Sequence, residues 1–470
     1  MAPQRFTKRS PIAAPAEFAF RWHEQPGAFF RLAPPWERIE LVRQSGGIRD
    51  GDEIEFRIHF GPFRQRWLAR HQNYIAGRQF EDVQVLGPFH AWKHIHRIIP
   101  DGPENSFLID EVEFELPGGR LGKCLGSRAI HAKLSCLFAA RHRVAAQDVA
   151  QHWAMQKRTT VAMTGQGARN SMRILLSGAT GLVGSALRPF LTTGGHTVVP
   201  LTRSLRGETG EIVVWDPLAN RIDRSQLEGF DAVIHLAGEN IASKRWSPEQ
   251  KEKIRGSRVD ATRFLSEQLA QLERPPSTLI CASAIGYYGN RGDEILDETK
   301  PPADDFLANV CRFWEAAAQP AREKGIRVVN LRIGVVLSPQ GGALHKMLTP
   351  FKFCLGGVIG KGRQYMSWVA LDDLVGIIFH CLQSEQISGP VNAVAPHSVT
   401  NREFTKTLGR VLNRPTEFPM PAFVARLAFG EMGEALLLSS TRVIPQRLLD
   451  DGYQFRYPEL EPALRHLLGR

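Results

Sequence analysis

Hydrophobic and polar residues follow two different rhythms along this chain. Before about residue 120 the period is two: Glu53-Ile-Glu-Phe-Arg-Ile-His-Phe alternates strictly, and Ser106-Phe-Leu-Ile-Asp-Glu-Val-Glu-Phe-Glu-Leu less strictly. Side chains of a strand point alternately to its two faces, so both segments predict half-buried antiparallel strands. From about Ile130 to Trp153 the spacing turns helical, with Ile130, Leu134, Leu137, Phe138 and Val144 marking an apolar stripe. After residue 172 short continuous apolar runs take over: Arg173–Ser177, His196–Ser204, Asp231–Gly238, Ser277–Ser283 and Arg327–Gly334, with helical stretches between them. Runs of this kind are strands buried on both faces, and their alternation with helices predicts a doubly wound parallel sheet with ligands beyond the strands' carboxyl ends. A more helical tail begins near Thr400.

Between the two rhythms, residues 159–171 are small, polar and glycine-containing, as a linker would be. The expected organisation is therefore an α+β domain over 1–158, a linker over 159–171, an α/β nucleotide-binding domain over 172–395 and a helical domain over 396–470. A chain of 470 residues is long enough for two or three such domains. The formal charge of +11 does not imply a nucleic-acid partner, because acidic residues are interleaved throughout and no basic run of five or six occurs. No apolar stretch is long enough to span a membrane, and the first ten residues lack the apolar core of a secretory signal. Cysteines 124, 136, 281, 311, 354 and 381 stand singly, with no Cys-x-x-Cys pair. These features predict a cytoplasmic protein without a disulfide framework, with neither nucleic-acid nor membrane partners.

The most informative segment is Arg173-Ile-Leu-Leu-Ser-Gly-Ala-Thr-Gly-Leu-Val-Gly184. Glycines at a strand-to-helix turn admit a pyrophosphate close to the backbone, and the N-terminus of the following helix offers N–H groups and a positive dipole end. Gly178, Thr180, Gly181, Leu182, Val183 and Gly184 are thus expected to hold a dinucleotide. Leu236, Ala237 and Gly238, closing the run that begins at Asp231, are expected to join them, as is Ser283. At the end of the next strand, Arg203 stands where an acidic residue would hold the ribose 2′-hydroxyl of NAD; Arg pairs with a 2′-phosphate, so NADP is expected over NAD.

The spacing Gly-x-x-Gly-x-x-Gly resembles that of extended short-chain dehydrogenase/reductases and sugar-nucleotide epimerases. Further phrases strengthen the likeness: Asp231-Ala-Val-Ile-His-Leu-Ala-Gly-Glu-Asn-Ile, Ser257-Arg-Val-x-x-Thr262, Ser283-Ala-Ile-Gly-Tyr-Tyr-Gly289, Ser367-Trp-Val-Ala-Leu-Asp-Asp-Leu and Gly430-Glu-Met-Gly. Together they resemble epimerase-family proteins of the atypical short-chain dehydrogenase/reductase superfamily over residues 172–469. Ala370 stands where that group has His. In the first half, the order of elements and the phrases Pro34-Pro-Trp-Glu37 and Gly87-Pro-Phe-x-x-Trp-x-His-x-His96 resemble polyketide-cyclase/START-like (SRPBCC) domains. That resemblance implies a helix-grip fold with an apolar ligand cavity. His90, Trp92, His94 and His96 would share one face of a strand there. With no carboxylate in this run, they are expected to line the cavity rather than to bind metal.

The superfamily's Tyr-x-x-x-Lys pair, in which Lys lowers the Tyr pKa for proton transfer, is missing: four residues after each of the six tyrosines stand Arg78, Arg291, Gly292, Val369, Tyr457 and Glu461. Aligning Glu315 with the family's acidic residue puts Leu307 and Cys311 in the Tyr and Lys places. Ser283, Tyr287 and Tyr288 remain as candidate catalytic residues, with Glu239 and Arg258 as further charged candidates. Two readings follow: an NADP-binding oxidoreductase or epimerase acting on a small molecule, or a non-catalytic NADP-dependent sensor or scaffold that has lost the pair.

Overall fold

The computed structural model describes residues 3–60, 63–162, 171–204 and 210–470. The chain divides into two compact units, one built mainly from residues up to Ser171 and the other mainly from Met172 to Leu468. The expected linker falls largely on residues 163–170, outside the described residues. Residues 159–162 are not linker but the end of a helix.

In the first unit, seven strands form one antiparallel sheet: β1 (Gln4–Ile12), β2 (Arg38–Ser45), β3 (Glu53–Phe60), β4 (Phe63–Ile75), β5 (Gln79–Leu86), β6 (Ala91–Pro100) and β7 (Ser106–Glu115), in the order β1-β7-β6-β5-β4-β3-β2. Helices α1 (Ala16–Glu24) and α2 (Ala28–Leu32) precede β2, and α3 (Gly119–Ala162) follows β7. The period-two reading holds in β7, where Ser106, Leu108, Asp110, Val112 and Phe114 face inward and the residues between them are half-exposed. In β6 the inward residues are Trp92, His94, His96 and Ile98. His90 lies before the strand and is exposed, so it does not share their face. Leu134 and Phe138 of α3 pack with Trp92, Val112 and Phe114 in one core, and Ala145 and Val149 pack with Phe20, Phe80 and Leu108 in another. Apolar burial of this extent is the main stabilising term of the unit.

The second unit begins with β8 (Arg173–Ser177), α4 (Leu182–Thr193), β9 (Thr197–Thr202), β10 (Val213–Asp216), β11 (Arg221–Ile222) and β12 (Ala232–His235). Helices α5 (Pro248–Gly256) and α6 (Val259–Ala270) lead to β13 (Thr278–Ala284). Next come β14 (Ile295–Leu296), α7 (Phe306–Ala316), α8 (Gln319–Glu323), β15 (Arg327–Ile333), β16 (Val335–Ser338), α9 (Gly342–Lys352), β17 (Tyr365–Met366) and β18 (Trp368–Ala370), then α10 (Leu371–Gln383) and β19 (Gly389–Ala393). The main sheet has the order β11-β10-β9-β8-β12-β13-β15-β19, with every pair parallel except β10–β11. Strand order reverses beside β8, and the crevice between β8 and β12 opens there, as expected of a ligand site in an open α/β sheet. The tail is helical from α11 (Asn401–Leu412) onward, with a Thr400/Glu403 capping box at its start.

One buried polar contact fixes that crevice. Leu236 and Ala237 donate their backbone N–H groups to Ser177 Oγ at 3.1 and 3.2 Å, and the same oxygen lies 2.7 Å from His235 Nδ1. With two donors already on Oγ, the serine proton goes to the imidazole. Burial pulls the His235 pKa from 6.5 to about 4, so the ring is neutral in the folded chain at neutral pH.

The sign of the resulting pH dependence is set by that shift. Between pH 6.5 and 4 the unfolded chain binds a proton at residue 235 that the folded chain excludes, so stability falls as pH drops through this window. Denaturant unfolding of the wild type should lose about 2–3 kcal/mol more than His235→Asn between pH 7 and pH 4.5. Equal slopes for the two proteins would show that residue 235 does not control this loss.

Candidate active site

The turn from β8 to α4 is shaped by what cannot fit there. Gly178 has φ +71°, and a Cβ on it would lie 2.9 Å from the Leu236 carbonyl carbon. At Gly184 a Cβ would lie 2.2 Å from the Gly178 carbonyl oxygen. These two glycines allow the turn to close against β12 and against its own helix. Gly181 differs, since its Cβ would meet only the Gly178 carbonyl oxygen, at 3.2 Å, and the residue is exposed with Thr180. The first-turn N–H groups of α4 have no acceptor within the helix. Leu182 and Val183 are half-buried beneath this open turn. Leu236 and Ala237 form the opposite wall. A Cβ on Gly238 would lie 3.3 Å from Arg258 Cζ, so the guanidinium closes the wall beyond it. The geometry fits a pyrophosphate laid across the turn.

Ser283 sits at the end of β13, 3 % exposed, and donates to Glu315 Oε1 at 2.8 Å. Glu315, on α7, is held by both arms of Arg332 on β15, Nε to Oε1 at 2.8 Å and Nη2 to Oε2 at 2.9 Å. Arg332 Nη1 also donates to Tyr288 OH at 2.9 Å, and Tyr288 OH donates to Asn392 Oδ1 on β19 at 2.7 Å. Burial works against the Arg332 charge, but Glu315 outweighs it and raises the pKa. Burial pushes the Tyr288 phenol up to about 12. Tyr288 is fully buried with its hydroxyl engaged twice, whereas Tyr287 is half-buried with its ring 3.5 Å beneath the Arg332 guanidinium carbon. The structure therefore separates the two tyrosines that the sequence presents together.

Leu307 and Cys311 lie on α7 as aligned. Leu307 packs against Gly286, and burial, together with Glu315, pushes the Cys311 thiol up to about 12, which withholds a thiolate. Ala370 is buried at the start of α10. Glu239 accepts a 3.5 Å contact from Gln250 Nε2, and Arg258 stacks over Trp314. The sequence reading missed Arg332 and Asn392, which sit in no motif. Their only signal is a polar residue inside an otherwise apolar strand.

The first unit encloses a cavity of about 890 Å³. Phe29, Phe56, Trp67, Trp92 and Leu137 line its apolar part; His71, Asp82, His94, His96 and Arg141 line the rest. Burial works against charge on His94, but Asp82 and Asp110 outweigh it and raise its pKa to about 9. The same pairing holds both carboxyls well below the usual carboxylate range despite their burial.

A glycine turn open to a pyrophosphate and a polar centre at the end of the neighbouring strands define a dinucleotide-binding α/β enzyme. The chain belongs to the epimerase family. A model described as NAD dependent epimerase/dehydratase family matches residues 174–393, and one described as a domain of unknown function (DUF1731) matches 420–467. An epimerase family protein of Mycobacterium bovis is 42 % identical over 297 residues, covering 63 % of this chain and 98 % of its own length. The human epimerase family protein SDR39U1 is 39 % identical over 301 residues, covering 63 % of this chain and all of its own. The crystal structure of a nucleoside-diphosphate sugar epimerase from Corynebacterium glutamicum aligns with TM-score 0.78 at 33 % identity, covering 99 % of this chain and 90 % of that one. The chain is an NAD(P)-dependent enzyme of epimerase or oxidoreductase type.

Two expectations are corrected by these comparisons. A single solved epimerase chain accounts for nearly the whole sequence, so an extended epimerase-type architecture replaces the fusion of a distinct SRPBCC helix-grip domain to a Rossmann domain. The SRPBCC likeness rested on two short phrases and on an element order that an antiparallel sheet followed by a long helix shares with other folds. The preference for NADP is corrected as well. Of five solved complexes of this fold, four hold NAD and one, the human protein, holds NADPH, so the fold does not by itself select NADP. Arg203 is exposed at the end of β9, and an exposed Arg does not by itself make a phosphate pocket.

Gly181→Val isolates the cradle, because the new side chain projects into the open turn rather than into the core. It should weaken dinucleotide binding by at least about tenfold in calorimetric titration while leaving the melting temperature nearly unchanged. Undiminished binding would remove the turn from the site.

Proposed function

We propose that the chain is an epimerase or oxidoreductase acting on a sugar nucleotide, with Ser283 and Tyr287 handling the proton at the reacting hydroxyl or carbonyl. The observation that carries this reading is the Ser283–Glu315–Arg332 chain at the end of β13, beside the crevice where the dinucleotide turn lies. A bound nicotinamide supplies the hydride acceptor and donor. The residues of the turn, Gly178 to Gly184, with Leu236, Ala237 and Gly238, hold and orient it. Ser283, its proton directed to Glu315, offers lone pairs to a substrate hydroxyl. Tyr287 is the half-buried phenol of the loop and moves the proton. Tyr288 holds Arg332 and Asn392 in place. Support for the substrate class comes from the Corynebacterium glutamicum protein, described as a nucleoside-diphosphate sugar epimerase and 33 % identical.

The cavity of the first unit is proposed to bind an apolar or amphipathic ligand, since aromatic and aliphatic side chains line most of it. A cytoplasmic site of action fits the free cysteines, and among the described residues no helix is long and apolar enough to cross a membrane. Residues 172–470 are proposed to fold by themselves, after a boundary near 159–171. The curated relatives match 63 % of this chain over nearly their entire length, which supports that division.

Turnover on a panel of uridine and thymidine diphosphate sugars should fall by about 10²–10⁴ in Ser283→Ala and in Tyr287→Phe at saturating cofactor, with dinucleotide affinity retained. Tyr288→Phe should instead cost about 1–3 kcal/mol of stability, by leaving buried partners unpaired. Full activity in Ser283→Ala would refute the assignment. Residues 172–470, expressed alone, should remain folded and bind dinucleotide; an insoluble fragment would refute the boundary.

A further inference from the structure

Asp82, His94 and His96 each present a ligand atom within 4.8 Å of the other two. The His-x-His run itself contains no carboxylate. Strand pairing supplies one on each side: Asp82 on β5 is opposite His94, and Asp110 on β7 is opposite His96. Asp82 Oδ2 lies 3.1 Å from His94 Nδ1 and 3.4 Å from His96 Nε2. Ligand atoms bound at about 2.0–2.1 Å around a tetrahedral ion are roughly 3.3–3.4 Å apart, so these spacings are those of a coordination edge.

The second ring nitrogens complete the pattern. His96 Nδ1 lies 2.8 Å and His94 Nε2 3.4 Å from the same Asp110 oxygen, and His142 Nε2 holds the other Asp110 oxygen at 2.9 Å. His94 Nε2 and Asp110 Oδ1 are buried and face each other at 3.4 Å without the geometry of a full hydrogen bond. Buried polar atoms so incompletely satisfied are rare in folded proteins and ask for an explanation. Coordination through His94 Nδ1 would place the proton on Nε2, facing Asp110, which is how a carboxylate orients a metal-binding imidazole.

We propose that Asp82, His94 and His96 form a divalent transition-metal site at the polar end of the first unit's cavity, with Asp110 as the residue that positions both imidazoles. Two imidazoles and one carboxylate leave a coordination position open, and all three residues line the cavity. The open position takes an oxygen donor, such as the carbonyl, carboxylate or hydroxyl of an otherwise apolar ligand. That last step rests on the cavity being a ligand site, but the metal site does not.

The test uses the full chain, stripped of metal by chelation, and titrates it with Zn²⁺ and with Co²⁺ as a spectroscopic probe. The expected result is one tight Zn²⁺ per chain and a Co²⁺ spectrum of nitrogen and oxygen ligands without thiolate charge transfer. Asp82→Asn and His96→Gln should each weaken Zn²⁺ by at least tenfold, and Asp110→Asn, which touches no ion, by about 10–100-fold. No stoichiometric uptake by the wild type, thiolate bands in its Co²⁺ spectrum, or unchanged affinity in a folded His94→Gln/His96→Gln variant would overturn the site. If the variants fail to fold, the wild-type stoichiometry and spectrum decide by themselves.

Discussion

The close approach of the β8–α4 turn to the end of β12 is the constraint on which the crevice between β8 and β12 depends. It leaves no space for a side chain at residue 178, where the nearest backbone atom would lie 2.9 Å from a Cβ. It also brings Leu236 and Ala237 within reach of Ser177 Oγ, so three strand-end groups share one buried oxygen. Such contacts hold the two strand ends level and keep α4 pointing its N-terminus into the opening. A neutral His235 belongs to this arrangement, because a charged imidazole at this depth would lack any compensating anion.

Beyond that crevice the organising element is the Arg332–Glu315 pair. Burying both charges costs several kcal/mol per ion, and attraction between them recovers this only when the remaining donors and acceptors are also satisfied. Here they are: Glu315 receives two guanidinium bonds and the Ser283 proton, and Arg332 keeps a further donor for Tyr288. The pair therefore ties α7, β13, β15 and the loop after β13 together at a single place. Its effect on chemistry is orientation, since it fixes the direction of the Ser283 proton and the face of Tyr287.

The first unit shows the same economy in an antiparallel setting. Inward positions of neighbouring strands meet in rows, so Asp82, His94, His96 and Asp110 converge although 28 residues of sequence separate the first from the last. Aromatic side chains take up the remaining inward positions, with Trp67 and Trp92 at 5.2 Å between ring centroids. A polar row within an apolar wall is costly unless each member finds a partner. The row therefore depends on register: a slip of one residue in β6 would turn His94 and His96 away from Asp82 and Asp110, to the opposite face.

The sequence by itself determined much of the secondary structure and the glycine turn between β8 and α4. Period-two alternation marked β3 and β7, continuous apolar runs marked β8, β12, β13 and β15, and glycine spacing marked the strand-to-helix turn. These are local properties, set by which face of an element is buried and by where a Cβ cannot be tolerated. Other outcomes were decided by residues distant in sequence. Tyr287 and Tyr288 are adjacent and chemically alike, yet only strand β19 supplies the Asn392 that buries one of them. His94 and His96 appeared without a carboxylate, because Asp82 and Asp110 arrive from neighbouring strands. Arg203 read as a cofactor discriminator by its position, but its exposure depends on the folded surface around β9. Element order and two short phrases suggested a fused module where one continuous architecture matches the chain. Local pattern sets which faces are buried, whereas partner identity depends on strand pairing and packing, which no short window of sequence contains.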